Sequence, residues 1–295
     1  MVRRLIDRSC LRIRVTGEVN LAIDDVRFKM FAAWDDGIVD ALYFKDRTYY
    51  ELTELRLFKE LAGRVTTILD VGANSGLYSI VSAKANPGAR IYAFEPGPAN
   101  RSRLKKNLAL NRSDSQVTVI EQAVGEEKKN VAFAVPRDGS LCDAASVDTA
   151  FSRKIYDRHK EFEDIEVLQI SLDEFVRSQE IGSVDLIKID VENRELHVFR
   201  GAQALLAEQS PLILAEFFTD KERQAFVTEF IRPLGYSCYA ILSTGLLRVS
   251  QLIDNPGSKN YLFSRVSSRD DFLPFEDMQE LLDQIGAVQR RATPA

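Results

Sequence analysis

Over the central two hundred residues, short β-branched apolar runs alternate with stretches of helical periodicity, and this constrains the fold more than any other feature. Such alternation is the signature of an α/β domain with a largely parallel sheet. The strand candidates are Thr67 to Val71, Arg90 to Phe94, Val117 to Ile120, Val184 to Ile189 and Leu212 to Phe217. Each is short and densely apolar, as strands buried on both faces are. Between the first two, Leu77, Ile80, Val81 and Lys84 keep helical spacing, and Asn86-Pro87-Gly88 stops the helix, so one βαβ unit reads from residue 66 to 95. Pro98 suits a first helical turn, with Leu104 and Leu108 facing inward. Arg101, Lys105 and Lys106 fall on the other side, a solvated face rather than a phosphate grip. Ser171-Leu172-Asp173-Glu174 reads as a capping box, and Leu196, Phe199, Ala202, Leu205 and Leu206 form an amphipathic pattern closed by Pro211. Phe226, Phe230 and Ile231 suggest a further helix. Tyr236 to Leu242 and Leu246 to Val249 look like a hairpin around Thr244-Gly245, with Tyr261-Leu262-Phe263 as a last strand, so antiparallel pairing is expected at one sheet edge.

The ends of the chain read differently. Leu11 to Val15 and Arg27 to Phe31 alternate like half-exposed strands, with Asp35-Asp36-Gly37 as a turn, so residues 1–50 are expected to form a small β-rich cap. Met278, Leu281, Leu282, Ile285 and Val288 keep helical spacing, which predicts a terminal amphipathic helix docked on the body or on a second subunit, leaving a homodimer open. The expected division is 1–50, 51–266 and 267–295. Thirty-nine basic against 44 acidic side chains give a net charge of −5, which argues against nucleic acid as a partner. Cys10, Cys142 and Cys238 are odd in number and lack metal-binding spacing; they read as packing residues of a reducing compartment. With only His159 and His197, a multi-histidine metal centre cannot be built. An oxygen-only site at Asp190 and Glu216 is required by nothing in the pattern, and no metal is expected. No apolar run approaches the ~18 to 20 residues that cross a bilayer, and the N-terminus turns charged before a signal core forms, so a cytoplasmic location is expected.

Asp70-Val71-Gly72-Ala73-Asn74-Ser75-Gly76 follows a strand and opens a helix, placing backbone N–H groups and two glycines where a ligand can lie against the main chain. The glycine spacing is not the dinucleotide pattern, so a pyrophosphate fits poorly. A zwitterion fits better: Asp70 can hold an ammonium while the loop amides hold a carboxylate. Glu95, before Pro96 at the end of the second strand, can accept both hydroxyls of a ribose. Amino acid and ribose on one ligand describe S-adenosylmethionine.

The chain also resembles the FkbM family of methyltransferases. The likeness lies in Leu69 to Gly76, Ala93 to Pro98, Leu108 to Asn111, Ser171 to Phe175 and Ile187 to Glu192, and continues through Gly201-Ala202, Pro211 to Glu216 and Asn260 to Phe263. The resemblance implies a class I methyltransferase fold, Rossmann-like, with a mostly parallel seven-stranded sheet and helices on both faces. It also implies S-adenosylmethionine as donor and O-methylation of a sugar, glycan or secondary-metabolite hydroxyl. By the same likeness Asp70, Gly72, Ala73, Asn74, Ser75 and Gly76 line the methionine end, Glu95 and Pro96 the ribose, and Gln122-Ala123 the adenine. Tyr50 and Glu51 are further candidates for the cofactor. After Asp190-Val191-Glu192 the family carries Gly where this chain has Asn193-Arg194, which puts the geometry of that loop in question.

Methyl transfer from a sulfonium needs the acceptor held close and in line, and an alcohol gains from a general base, for which Asp190 and Glu192 are the candidates. Each has a bland alternative: Asp190 as a cofactor ligand, Glu192 as a partner of Lys188 or Arg194. His159 reads as part of a solvated helix face and His197 as a packing residue. The long segment from Val135 to Glu163 is poor in strand pattern and reads as a lid, an acceptor site or a surface insertion. The alternatives are a nicotinamide-dependent oxidoreductase on a Rossmann-like fold and a non-catalytic cofactor-binding scaffold.

Overall fold

The computed structural model describes residues 3–7, 12–33, 37–44, 52–142, 145–155, 161–255, 258–265 and 270–275. The chain enters as three antiparallel strands, β1 (Arg3–Asp7), β2 (Arg12–Ile23) and β3 (Val26–Ala32), followed by a helix, α1 (Gly37–Phe44). The β2–β3 turn is Asp24-Asp25, with Asp24 at φ 51°, a left-handed conformation that aspartate tolerates. The turn expected at Asp35-Asp36-Gly37 is therefore not the hairpin turn: Gly37 opens α1, and the two aspartates lie outside the described residues. In β3 the period-two pattern buries Val26, Phe28 and Met30, which share a core with Leu77, Ile80 and Leu104.

Next come α2 (Leu52–Ala62), β4 (Thr67–Val71), α3 (Leu77–Ala85), β5 (Arg90–Phe94), α4 (Pro98–Asn111) and β6 (Val117–Ile120), with the three strands on the expected residues. The chain then builds β7 (Ala123–Val124), β8 (Lys129–Pro136), α5 (Thr149–Ile155) and β9 (Phe162–Ile170). These strands form a separate sheet ordered β7-β9-β8, where the sequence shows little strand pattern. It returns through α6 (Leu172–Ser178), β10 (Leu186–Ile189), α7 (Glu195–Arg200), α8 (Gln203–Gln209), β11 (Leu212–Glu216) and α9 (Lys221–Phe226). A π-helical turn at Val227–Ile231 and a tighter one at Arg232–Leu234 lead to β12 (Ser237–Leu242), β13 (Gly245–Val249), β14 (Asn260–Ser264) and β15 (Phe272–Pro274). The terminal helix expected over Met278 to Val288 lies outside the described residues.

The large sheet has the order β15-β13-β12-β14-β11-β10-β4-β5-β6. The five strands from β11 to β6 are parallel, and β14 runs antiparallel to both β11 and β12. The sheet is thus mixed and nine-stranded, not the expected seven: β13 folds back on β12 as a hairpin, and β15 pairs onto β13. Successive residues of the central strands feed opposite cores: Ile68, Leu186 and Leu212 enter one, Leu69, Ile187 and Ile213 the other. Strand order reverses between β4 and β10, which opens a crevice at their carboxyl ends.

Helix α4 ties the N-terminal strands to that crevice. Asn107 Oδ1 accepts from the Phe31 N–H at 2.8 Å, and Asn111 Oδ1 accepts from the Lys29 N–H at 2.9 Å while its amide donates to the Lys29 carbonyl at 2.7 Å. Side chains thus satisfy the backbone edge of β3. Asn107 also donates to the Ser75 carbonyl at 2.8 Å, fixing the loop after β4. Among the described residues, no helix is long and apolar enough to cross a membrane.

Candidate active site

The loop from β4 to α3 holds three left-handed residues, Gly72 (φ 86°), Asn74 (φ 50°) and Gly76 (φ 89°). It is laid against β5 by the Gly72 and Ala73 N–H groups, which donate to the Phe94 carbonyl at 3.1 and 2.9 Å. A Cβ on Gly72 would run into the Asp190 carbonyl, and one on Gly76 into Leu104. The glycines are therefore required by the close approach of β10 and α4 as well as by their φ. This corrects the expectation that both open the main chain to a ligand, since Gly76 faces Leu104 and does not line the crevice.

A cavity of about 310 Å³ occupies the crevice, within the range of small-molecule sites. Gly72, Ala73, Asn74 and Ser75 line it from β4, Glu95 and Pro96 from β5, Gln122 and Ala123 from beyond β6, and Asp190 and Glu192 from beyond β10. Of the expected cofactor ligands and bases among the described residues, Asp70 and Gly76 are absent from the wall. Asp70 sits beneath it, 2 % exposed, accepting from the Ser79 hydroxyl at 2.6 Å. Burial pushes its carboxyl up to about 6, against the pull of the Ser79 hydrogen bond and the Lys188 charge. Direct contact between Asp70 and a ligand ammonium is therefore not offered by this geometry. Tyr50, Glu51 and His159 lie outside the described residues.

Glu95 is buried, and each of its oxygens accepts one backbone N–H: Oε2 from Asn74 at 2.9 Å and Oε1 from Gly97 at 2.7 Å. Desolvation raises its carboxyl to about 7 even though both amides and Arg101 favour the charged form. Beside it the Ser75 hydroxyl is buried without a hydrogen-bond partner on the cavity wall. An orphaned hydroxyl and a carboxylate with lone pairs to spare fit a ligand that supplies both polar ends.

On the other side of the strand reversal, Lys188 is 1 % exposed, and its ammonium reaches Asp190 Oδ2 at 3.2 Å and Asn260 Oδ1 at 3.1 Å. Lys188 thus pairs with Asp190. Glu192 and Asn193 are both left-handed, at φ 52° and 74°. Asparagine tolerates that region, so the chain keeps the turn without the family's glycine. The Asn193 amide donates to Asp148 Oδ2 at 2.7 Å, its oxygen accepts from Arg223 at 2.6 Å, and its N–H donates to Glu195 at 3.1 Å. The Ser146 hydroxyl donates to the Glu192 carbonyl at 2.8 Å, drawing the segment before α5 over the crevice. Ala145, Ser146 and Val147 line the cavity, so part of the long connection covers the site.

His197 lies away from the cavity, with Nδ1 2.6 Å from Glu126; burial lowers its pKa. Lys105 pairs with Glu121 at 2.9 Å on the solvated face, but Arg101, expected there too, is half-buried: it pairs with Glu121 at 3.3 Å and donates to the Pro96 carbonyl at 2.7 Å. Cys142 and Cys238 are buried free thiols. Among the described residues, no group of three or more His, Cys, Asp or Glu could hold a metal ion. Sequence reasoning missed Asn100, Phe133 and Ser146 on the wall. The alternation Val131, Phe133, Val135 was a legible signal for the second; Asn100, in the first turn of α4, exchanges hydrogen bonds with the backbone of Cys142, which local pattern cannot reveal.

A parallel sheet with this reversal, an antiparallel strand inserted near its end and a crevice floored by a glycine turn and a β5 carboxylate define an α/β fold of the methyltransferase type. The chain belongs to the FkbM methyltransferases: residues 70–238 match the methyltransferase FkbM domain. It is 29 % identical over 154 residues to methyltransferase sdnD of Sordaria araneosa (45 % of this chain, 59 % of that protein). It is 30 % identical over 148 residues to the hexuronic acid methyltransferase AglP of Haloferax volcanii (50 % and 54 %). The chain thus spans somewhat over half the length of these relatives. A crystal structure of methyltransferase FkbM from Methylobacillus flagellatus superposes with a TM-score of 0.45 at 18 % identity, covering 78 % of this chain and 55 % of that one.

Proposed function

We propose that the chain transfers a methyl group from S-adenosylmethionine to a hydroxyl oxygen of a sugar, glycan or secondary metabolite. The observation that carries this reading is Glu95, a buried carboxylate on the cavity wall whose two oxygens are each fixed by one backbone amide and retain lone pairs for a vicinal diol. S-adenosylmethionine, when bound, supplies a methyl group already activated by its sulfonium. The loop Gly72 to Ser75, with the unpartnered Ser75 hydroxyl, holds its amino-acid end, Glu95 and Pro96 the ribose, and Gln122 and Ala123 the adenine.

Asp190 is the base. Lys188, itself anchored on Asn260, holds it from below through Oδ2, which leaves Oδ1 to take the acceptor's hydroxyl proton as the new bond forms. Glu192, one turn of backbone further along the wall, orients the acceptor. The segment around Ser146 and Val147 excludes water above. Oxygen as the nucleophile is further supported by AglP, since a hexuronic acid offers oxygen nucleophiles alone. The test is calorimetric titration with S-adenosylhomocysteine followed by transfer of labelled methyl to a panel of glycosides and polyol metabolites. Binding with label in an alkali-stable ether is expected; failure to bind the nucleoside overturns the reading.

A further inference from the structure

Among the described residues, the cavity wall carries four carboxylates, Glu95, Asp190, Glu192 and Glu216, and one cation, Arg194. An acidic wall suits a donor bearing a sulfonium and an ammonium, but it leaves the arginine unexplained. Arg194 is half-buried, and its guanidinium makes no hydrogen bond or ion pair with any described residue, its one charge coupling being repulsion of a proton on His197. The neighbouring acid Glu195 is turned away, accepting from the Asn193 N–H and lying 3.6 Å from Arg223. A guanidinium on the wall with no protein partner keeps its donors available to a ligand. The turn that presents it is held: Asn193, the preceding residue, is pinned between Asp148 and Arg223. Arg194 also stands beyond β10, across the strand reversal from the Glu95 and Gln122 side assigned to the donor nucleoside.

We infer that Arg194 recognises a carboxylate on the methyl acceptor, so that the acceptor is an acidic sugar or hydroxy acid and not a neutral alcohol. The inference rests on the methyl-transfer reading of the same cavity. A guanidinium matches a carboxylate with two parallel hydrogen bonds. A dianionic phosphate would meet stronger repulsion from Asp190 and Glu192 than a singly charged carboxylate does.

The full chain, saturated with S-adenosylhomocysteine, is titrated with p-nitrophenyl β-D-glucuronide and p-nitrophenyl β-D-glucoside, which differ in the carboxylate. The glucuronide is expected to bind about tenfold or more tightly, Arg194→Ala to erase the difference, and Arg194→Lys to restore part of it. The affinity of Arg194→Ala for S-adenosylhomocysteine is expected to stay within about twofold of wild type. Equal affinity for the two glycosides, or binding of neither, overturns the inference. So does a large loss of S-adenosylhomocysteine affinity in Arg194→Ala, which assigns the guanidinium to the donor's own carboxylate. Failure of the unsubstituted chain to take up S-adenosylhomocysteine overturns instead the methyl-transfer reading beneath it.

Discussion

Replacing Glu95 by Gln should separate stability from donor binding, because the two respond to pH with opposite sign. Burial lifts the Glu95 carboxyl from an ordinary 4.5 to about 7. Below pH 4.5 both folded and unfolded chains carry the proton and the group contributes nothing. Between 4.5 and 7 the folded chain keeps a proton that the unfolded chain has lost, so stability falls as pH rises, and above 7 the full penalty stands. The span corresponds to about 3 kcal/mol. Asp70, raised to about 6, adds a slope of the same sign at lower pH, so the difference between wild type and Glu95→Gln isolates Glu95. Donor binding runs the other way: the ionised carboxylate accepts ribose hydroxyls through charge-assisted hydrogen bonds, so affinity rises between pH 6 and 8. Loss of that charge weakens S-adenosylhomocysteine by roughly 10- to 100-fold at pH 8. Urea unfolding and calorimetry across pH 5 to 8 read both quantities. A stability difference that does not move with pH, or a variant that binds the nucleoside like wild type at pH 8, refutes the reasoning.

Gly72→Ala places a Cβ against the Asp190 carbonyl at a residue with φ 86°, and a loss of at least about 3 kcal/mol in urea unfolding is expected; unchanged stability contradicts the packing described. Asp190→Asn should lower kcat by about 10²-fold or more while S-adenosylhomocysteine affinity holds within about threefold; a kcat near wild type in single-turnover assays reassigns the proton transfer to Glu192. Asn111→Ala removes two hydrogen bonds to the Lys29 backbone, costing about 2 kcal/mol locally. Hydrogen exchange at Lys29 should then accelerate while the β4 amides keep their protection, and uniform acceleration would show that the N-terminal strands unfold together with the main sheet.

The central strands were legible because each is a short run dominated by apolar residues between helix and turn signals: β4, β5 and β6 fall on the expected residues. Helix boundaries carried their own chemistry, as at Ser171, whose hydroxyl accepts from the Glu174 N–H at 3.2 Å. The hairpin of β8 and β9 was not legible. Its strands lie 25 residues apart, and the first half of β8 is exposed, so apolar alternation shows in Phe133 and Val135 but fades in Lys129 and Asn130. The β2–β3 turn at Asp24-Asp25 contains no glycine and so lacks the strongest local hairpin signal. At the site, the polypeptide stretches that carry Gly72, Glu95 and Asp190 could be read from strand ends, whereas the burial of Asp70, the packing of Gly76 on Leu104 and the pinning of Asn193 by Asp148 and Arg223 are long-range events. Local periodicity holds no record of them.

The most direct measurement is a crystal structure of the chain with S-adenosylhomocysteine. The account predicts both ribose hydroxyls within hydrogen-bond distance of the Glu95 oxygens and the sulfur turned toward Asp190. A nucleoside bound elsewhere, or one in the crevice whose ribose makes no contact with Glu95, would contradict it.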